Sequence, residues 1–255
     1  MSIIKSEIPI LEFDSDQSAV IMPDHEKLDL KLPSKAVFAF LGDHIDNYAQ
    51  SSETKQVSEF ISATKSYPIY VTRYKGEEIC LVQAPVGAAP AAQILDWLIG
   101  YGVKKIISAG SCGALADFPE STFLVPYKAL RDEGTSYHYA PPSRFIEMNS
   151  KALKAIEKTI TERGMKYQEV ITWSTDGFFR ETKEKVAYRK SEGCSVVEME
   201  CSALAAVAEM RNVVWGMILY TADSLADADR YDERNWGGDS YEYALKLCLD
   251  AVLNL

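Results

Sequence analysis

Short apolar runs, each closed by a small residue or glycine, alternate with longer stretches of helical periodicity along nearly the whole chain. That alternation constrains the fold more than any other feature, because strands and helices taking turns build a sheet covered on both faces. Strand-like runs are read at 36–41, 78–84, 104–108, 122–125, 169–173 and 213–220. Helical stretches are read from Pro90 (with Ile94, Trp97 and Leu98 on one face), over 150–163, 182–190, 201–210 and 241–253, the last capped by Asp239 or Ser240. Residues 131–145 show neither period and read as an irregular loop. The expected fold is α/β: one domain over 1–255, with a mixed, largely parallel central sheet flanked by helices and residues 1–24 as an N-terminal extension.

Composition narrows the function. Acidic residues outnumber basic ones, 37 to 27, for a net charge of −10. A general nucleic-acid or anionic-membrane surface is therefore excluded, though a local pocket for a small anion is not. No apolar run approaches the ~20 residues of a membrane span, and the N-terminus does not read as a signal peptide. The five cysteines are scattered and odd in number, and the three histidines lack ligand spacing. Buried, reduced thiols in a cytoplasmic protein without metal or organic cofactor are expected.

Four segments carry candidate chemistry. Ser108-Ala109-Gly110-Ser111-Cys112-Gly113 follows a buried strand, where small residues permit a sharp turn with exposed N–H groups able to hold an anion, or simply close packing. Glu198-Met199-Glu200 lies where a strand hands over to a helix. Its acids either favour the helix N-terminus or accept hydrogen bonds from paired sugar hydroxyls. Asp223 directly follows a buried strand and reads as a helix N-cap, shared with Ser224, or as a proton donor at a ligand site. Phe178-Phe179-Arg180 offers an aromatic to stack on a flat base, with one of the two phenylalanines expected in the core.

Together with Gly42-Asp43 and Asp176, these segments resemble, in order and spacing, the nucleoside phosphorylase family. That family includes hexameric purine nucleoside phosphorylase, uridine phosphorylase and the methylthioadenosine nucleosidases. The 131–139 segment also looks like a loop of uridine-phosphorylase-like members. The resemblance implies that Glu200 binds the ribose 2′ and 3′ hydroxyls, with Met199 packed on the sugar and Glu198 beside it. Phe178 would stack on the base, flanked by Phe179 and Arg180, and Asp223 would protonate or hydrogen-bond purine N7. Gly42, Gly110 and Ser111 would meet the anion or water attacking C1′. His25 would reach the 5′ hydroxyl in a neighbouring subunit, making a homo-oligomer (dimer or hexamer) with shared active sites.

The sequence also departs from that family. Two positions where phosphate-using members carry arginine are Asp46 and Ser108 here, and Lys65 replaces a neighbour-subunit arginine. Exchanging guanidinium groups for a carboxylate disfavours a phosphate dianion. The expected reaction is phosphorolysis of a ribonucleoside to base and ribose 1-phosphate, with purine ahead of uridine and inorganic phosphate as co-substrate. Lys65, His44, Arg131 or Arg180 would then rebuild the phosphate site. The alternatives are hydrolysis by water activated near Asp46 and nucleoside binding without turnover.

Overall fold

A computed structural model describes residues 3–51 and 53–255. Met1 and Ser2, part of the expected N-terminal extension, lie outside the described residues. Among the described residues, ten strands and six helices follow one another: β1 (Lys35–Ala39), α1 (His44–Ser51), β2 (Thr54–Ile61), β3 (Ser66–Tyr74), β4 (Glu77–Gln83), α2 (Ala88–Gly100), β5 (Lys105–Ala114), β6 (Phe123–Asp132), β7 (Phe145–Glu147), α3 (Ser150–Glu162), β8 (Gln168–Thr175), α4 (Lys183–Ser191), β9 (Cys194–Glu198), α5 (Cys201–Met210), β10 (Val214–Ser224) and α6 (Tyr241–Leu253).

The strands form one mixed sheet. β4, β1, β5 and β10 run parallel, and β3 and β2 extend the β4 edge as antiparallel neighbours. On the other side β5, β10, β6, β8 and β9 pair in a closed circuit, so half of the sheet curls into a barrel. Period-two side-chain placement then divides the core. In β1, Ala36 and Phe38 pack with Leu95, Leu98 and Leu204 of α2 and α5, whereas Val37 and Ala39 join Ile156, Leu245 and Leu249 of α3 and α6. A smaller cluster of Leu130, Trp173, Val186 and Val197 sits under α4. All five cysteines are buried and unbridged. No helix among the described residues is long and apolar enough to cross a membrane.

Several elements run differently from the sequence expectation. β5 continues through Gly110 to Ala114, because its neighbours β10 and β9 supply ladder partners to the end, so the glycine segment is strand rather than a turn. β10 likewise runs to Ser224, so neither Asp223 nor Ser224 caps a helix. The segment read as a loop is ordered: β6 extends to Asp132, a 3₁₀ turn covers Thr135–His138, and β7 follows. Buried Arg131 organises it, donating to Ser136 Oγ (2.9 Å), Ala140 O (3.1 Å), Pro141 O (2.7 Å) and Ser143 Oγ (2.8 Å). α2 begins at Ala88, with Pro90 inside its first turn, where no intrahelical donor is lost. Neither Ser240 nor Asp239 caps α6 through its side chain; Ser240 Oγ is buried without a partner.

Gly216 shows how tightly α3 lies on the sheet: a Cβ there would stand 2.6 Å from Ala152 Cβ. Gly216→Ala forces strand and helix apart, and we expect a loss of about 1–3 kcal/mol, measured by urea unfolding.

Candidate functional site

The carboxyl ends of the parallel strands open into a cleft of about 320 Å³, where ligands bind in open α/β sheets. Its wall includes Gly42 and Phe40 after β1, Gln83 of β4, Gly110–Gly113 of β5, Glu198–Glu200 between β9 and α5, Ala222 and Asp223 of β10, and Phe178, Glu181, Trp236 and Tyr241. Glu200 and Asp223, far apart in sequence, thus share one hollow.

Backbone irregularity aims Asp223. The β10–β5 register breaks between Thr221 and Ser224, and a bulge there brings both Ala222 and Asp223 to the cleft. Gly113 makes room: a Cβ on it would lie 3.3 Å from Asp223 Oδ1 and 3.0 Å from Val197 Cγ1. Burial pushes the Asp223 carboxyl above its usual range, opposed by a hydrogen bond from Tyr231 and by the charge of Arg234. A carboxyl so placed holds its proton longer than an exposed one.

Glu198 fulfils the helix-terminus reading of its segment. Its Oε2 accepts the N–H groups of Glu200 (2.7 Å) and Cys201 (2.6 Å) at the start of α5, and its Oε1 accepts Ser174 Oγ (2.5 Å) and Thr172 Oγ1 (3.1 Å) of β8. These four donors occupy the carboxylate, so it positions its neighbours rather than offering itself to a sugar. Glu200, equally buried, accepts the Gly87 N–H at the start of α2 (2.6 Å). Desolvation first, then the charge of Glu198, raises its pKa to about 8, against the pull of the Gly87 and Met199 amides.

The remaining expected residues divide. Met199, Phe178, Gly42, Gly110 and Ser111 line the cleft. Phe178 and Phe179 are 41% and 92% exposed, so neither is the core residue expected of one of them, and Phe179 and Arg180 are not on the wall. Ser108 is fully buried and accepts the Trp215 indole N–H at 3.0 Å, a packing role away from the cleft. Asp46, on α1, accepts Tyr70 Oη at 2.9 Å and is not on the wall either. Arg131 is committed to its loop, and the His44 ring packs on Tyr241 at 4.9 Å. His25 is exposed near the start of α2, and Lys65 is exposed between β2 and β3, over Tyr67. Both lie outside their own chain's cleft.

Sequence reasoning missed Phe40, Gln83, Val86 and Tyr241 on the wall, and two residues of more chemical weight, Trp236 and Glu181. Trp236 sits in a loop without periodicity, held by the Asn235 and Gly237 N–H groups donating to Glu120 Oε1 (both 2.9 Å). Glu181 stands three residues after Phe178, and burial, then the charge of Asp223, raises its pKa to about 7. Its one available signal was proximity to the stacking aromatic. Among the described residues, no group of three or more His, Cys, Asp or Glu side chains is arranged to hold a metal ion.

The Phosphorylase superfamily model matches residues 35–254. The chain belongs to this superfamily. Among its relatives, a guanosine phosphorylase of Halorubrum lacusprofundi is 26% identical over 205 residues, covering 78% of this chain and 85% of that one. A 5'-methylthioadenosine/S-adenosylhomocysteine nucleosidase of Buchnera aphidicola is 27% identical over 177 residues, covering 64% and 76%. In fold, the chain is similar to the purine nucleoside phosphorylase of Toxoplasma gondii, with a TM-score of 0.76 at 20% identity over 93% of this chain and 97% of that one. Membership of the superfamily supports cleavage of a nucleoside N-glycosidic bond as the chemistry of this cleft.

The Glu200 carboxyl has a folded-state pKa near 8, above its ordinary 4.5. Between those values the unfolded chain releases this proton more readily, so rising pH favours unfolding through this group. Glu200→Gln removes that dependence, and we expect its thermal midpoint to exceed the wild-type value by a few degrees at pH 8.5 but not at pH 4.5, read by calorimetry.

Proposed function

We propose that this protein hydrolyses the N-glycosidic bond of a purine ribonucleoside, with water rather than phosphate as acceptor. The observation that carries the reading is the acid-rich wall of the cleft. Glu181, Glu198, Glu200 and Asp223 line it, and among the described residues no lysine, arginine or histidine does. A phosphate dianion needs several cationic or N–H donors and is repelled by carboxylates in a partly desolvated site. A neutral nucleophile meets no such barrier.

The same charge suits the leaving step. Cleavage passes through an oxocarbenium-like ribosyl centre, which negative charge beside the sugar stabilises. Glu200 accepts the two sugar hydroxyls, which favours its ionised form, and Met199 packs on the ring. Phe178 and Trp236 provide flat apolar walls for the base. Asp223, whose hold on a proton is strengthened by burial, donates to N7 from its protonated form as the base departs. Ser111, exposed on the wall at the end of β5, is placed to hold the attacking water. With an electron-poor C1′ already formed, that water needs little activation, and as its oxygen bonds C1′ it releases its proton to bulk water through the open cleft, while Asp46 stays engaged by Tyr70.

Phosphorolysis is the second reading. It is favoured by the relative named a guanosine phosphorylase and by exposed Lys65 and His25, outside their own cleft and available to the cleft of a second copy. The expected result is base release from adenosine or inosine at equal rates with and without phosphate, with free ribose as product by chromatography. Strict phosphate dependence with ribose 1-phosphate formed assigns the second reading, and tight binding with no base released assigns a non-catalytic binder. In the active protein Asp223→Asn lowers kcat for purine nucleosides by about 10²–10⁴-fold and spares uridine, in steady-state assays of both.

A further inference from the structure

We propose that Glu181 reads the substituent at position 6 of the purine and makes the cleft select 6-amino over 6-oxo purine ribonucleosides. The inference rests on the base-cleaving function proposed above and names the substrate class of that same site.

Glu181 is tied to the base platform on both sides. It directly follows the 3₁₀ turn Phe178–Arg180, its N–H donates to Phe178 O at 3.4 Å, and the next residue, Thr182, caps α4 through Lys185 N–H at 3.3 Å. The side chain lines the same cleft as Phe178 and Asp223. Among the described residues no hydrogen bond or ion pair engages its carboxylate; the nearby cation, Lys185, is paired with Asp132 at 3.0 Å. A carboxylate on a cleft wall with no protein partner is available to a ligand.

Its place beside Asp223 sets which atom it meets. Both line the same cleft, and the charge of Asp223, when ionised, acts on Glu181, so the two carboxyls are neighbours on that wall. On a purine, N7 and the 6-substituent are neighbours on one edge, while position 2 lies across the ring. With Asp223 at N7, a carboxylate beside it reaches position 6.

The chemistry then fixes the preference. An ionised carboxylate only accepts, so it pairs with an exocyclic amino group and repels an exocyclic oxygen. Protonated, the same group can donate to that oxygen. The charged and titratable groups around Glu181 are Asp223 on β10, Lys185 on α4 and Tyr231 in the following loop. Burial and Asp223 set its midpoint at about 7, so the preference for the amino group strengthens as pH rises through neutrality.

The test is the ratio of kcat/KM for adenosine to that for inosine between pH 6 and pH 9, in the wild type and in Glu181→Gln and Glu181→Ala. One buried polar contact exchanged for a mismatch discriminates by about 5–150-fold. The wild-type ratio should rise by at least about tenfold over this range. Glu181→Gln, whose amide can accept or donate, should give a flat profile and a ratio about tenfold or more below the wild type at pH 8. Glu181→Ala should be equally flat. A ratio and pH profile unchanged in both variants, with wild-type thermal midpoints, overturns the assignment. If the wild type releases base from neither nucleoside, the function above falls instead. Calorimetric binding of adenine against hypoxanthine then tests Glu181 directly: adenine preferred by the wild type and not by Glu181→Gln supports it, and equal preference in both refutes it.

Discussion

The buried carboxylate of Glu198 accepts two hydroxyls from β8 and two amides from the start of α5, and the rest of the site hangs from it. Removing a carboxylate from water costs several kcal/mol unless donors replace the lost hydration. Here four do, and with Glu198 itself on β9 they join three elements. The bond network therefore fixes where β9 ends, where α5 begins and which way Glu200 points. Glu200 then reaches across to the Gly87 amide and ties that corner to the β4–α2 connection. Without the Glu198 cluster, its neighbour would be a charged side chain on a loose turn.

Concentrating acids in one hollow carries an opposing effect. Glu200 and Glu181 are both held above the ordinary carboxylate range, by desolvation first and then by another acid. The unliganded cleft thus stores unfavourable electrostatics that a donor-rich, cation-like ligand relieves. A ribosyl group acquiring positive charge is such a ligand, and so are a sugar diol and an exocyclic amine. Asp46 and Ser108, where the family resemblance leads one to expect arginine, are engaged elsewhere. Asp46 turns to Tyr70, and Ser108 supports Trp215 in the core.

The order of strands and helices was legible because a strand buried on both faces must be continuously apolar, whereas a helix packed on one face repeats every three to four residues. α5 and α6 fall where that period places them, 201–210 and 241–253. Strand ends were not legible. The glycine-rich end of β5 and the polar end of β10 resemble turns, and only the partners lent by β9 and β10, and by β5, make them strands. Arg131 likewise orders a segment whose own pattern suggests a loop. Glu200, Met199, Phe178 and Asp223 stood out because short motifs carry them. Trp236 and Glu181 did not, since neither lies in a motif and each matters only through what faces it across the cleft.

The sequence by itself determined the alternation of elements and the acids that end up in the cleft. These are properties of residue type and spacing, which survive in an unfolded chain. Only the tertiary structure decided which acids face one another. That depends on the sheet closing β5, β10, β6, β8 and β9 into a circuit and on a bulge that turns Asp223 inward, and both are set by pairing between strands remote in sequence. Protonation follows from the same source, because a carboxyl's affinity for its proton is fixed by burial and by neighbours the chain acquires on folding.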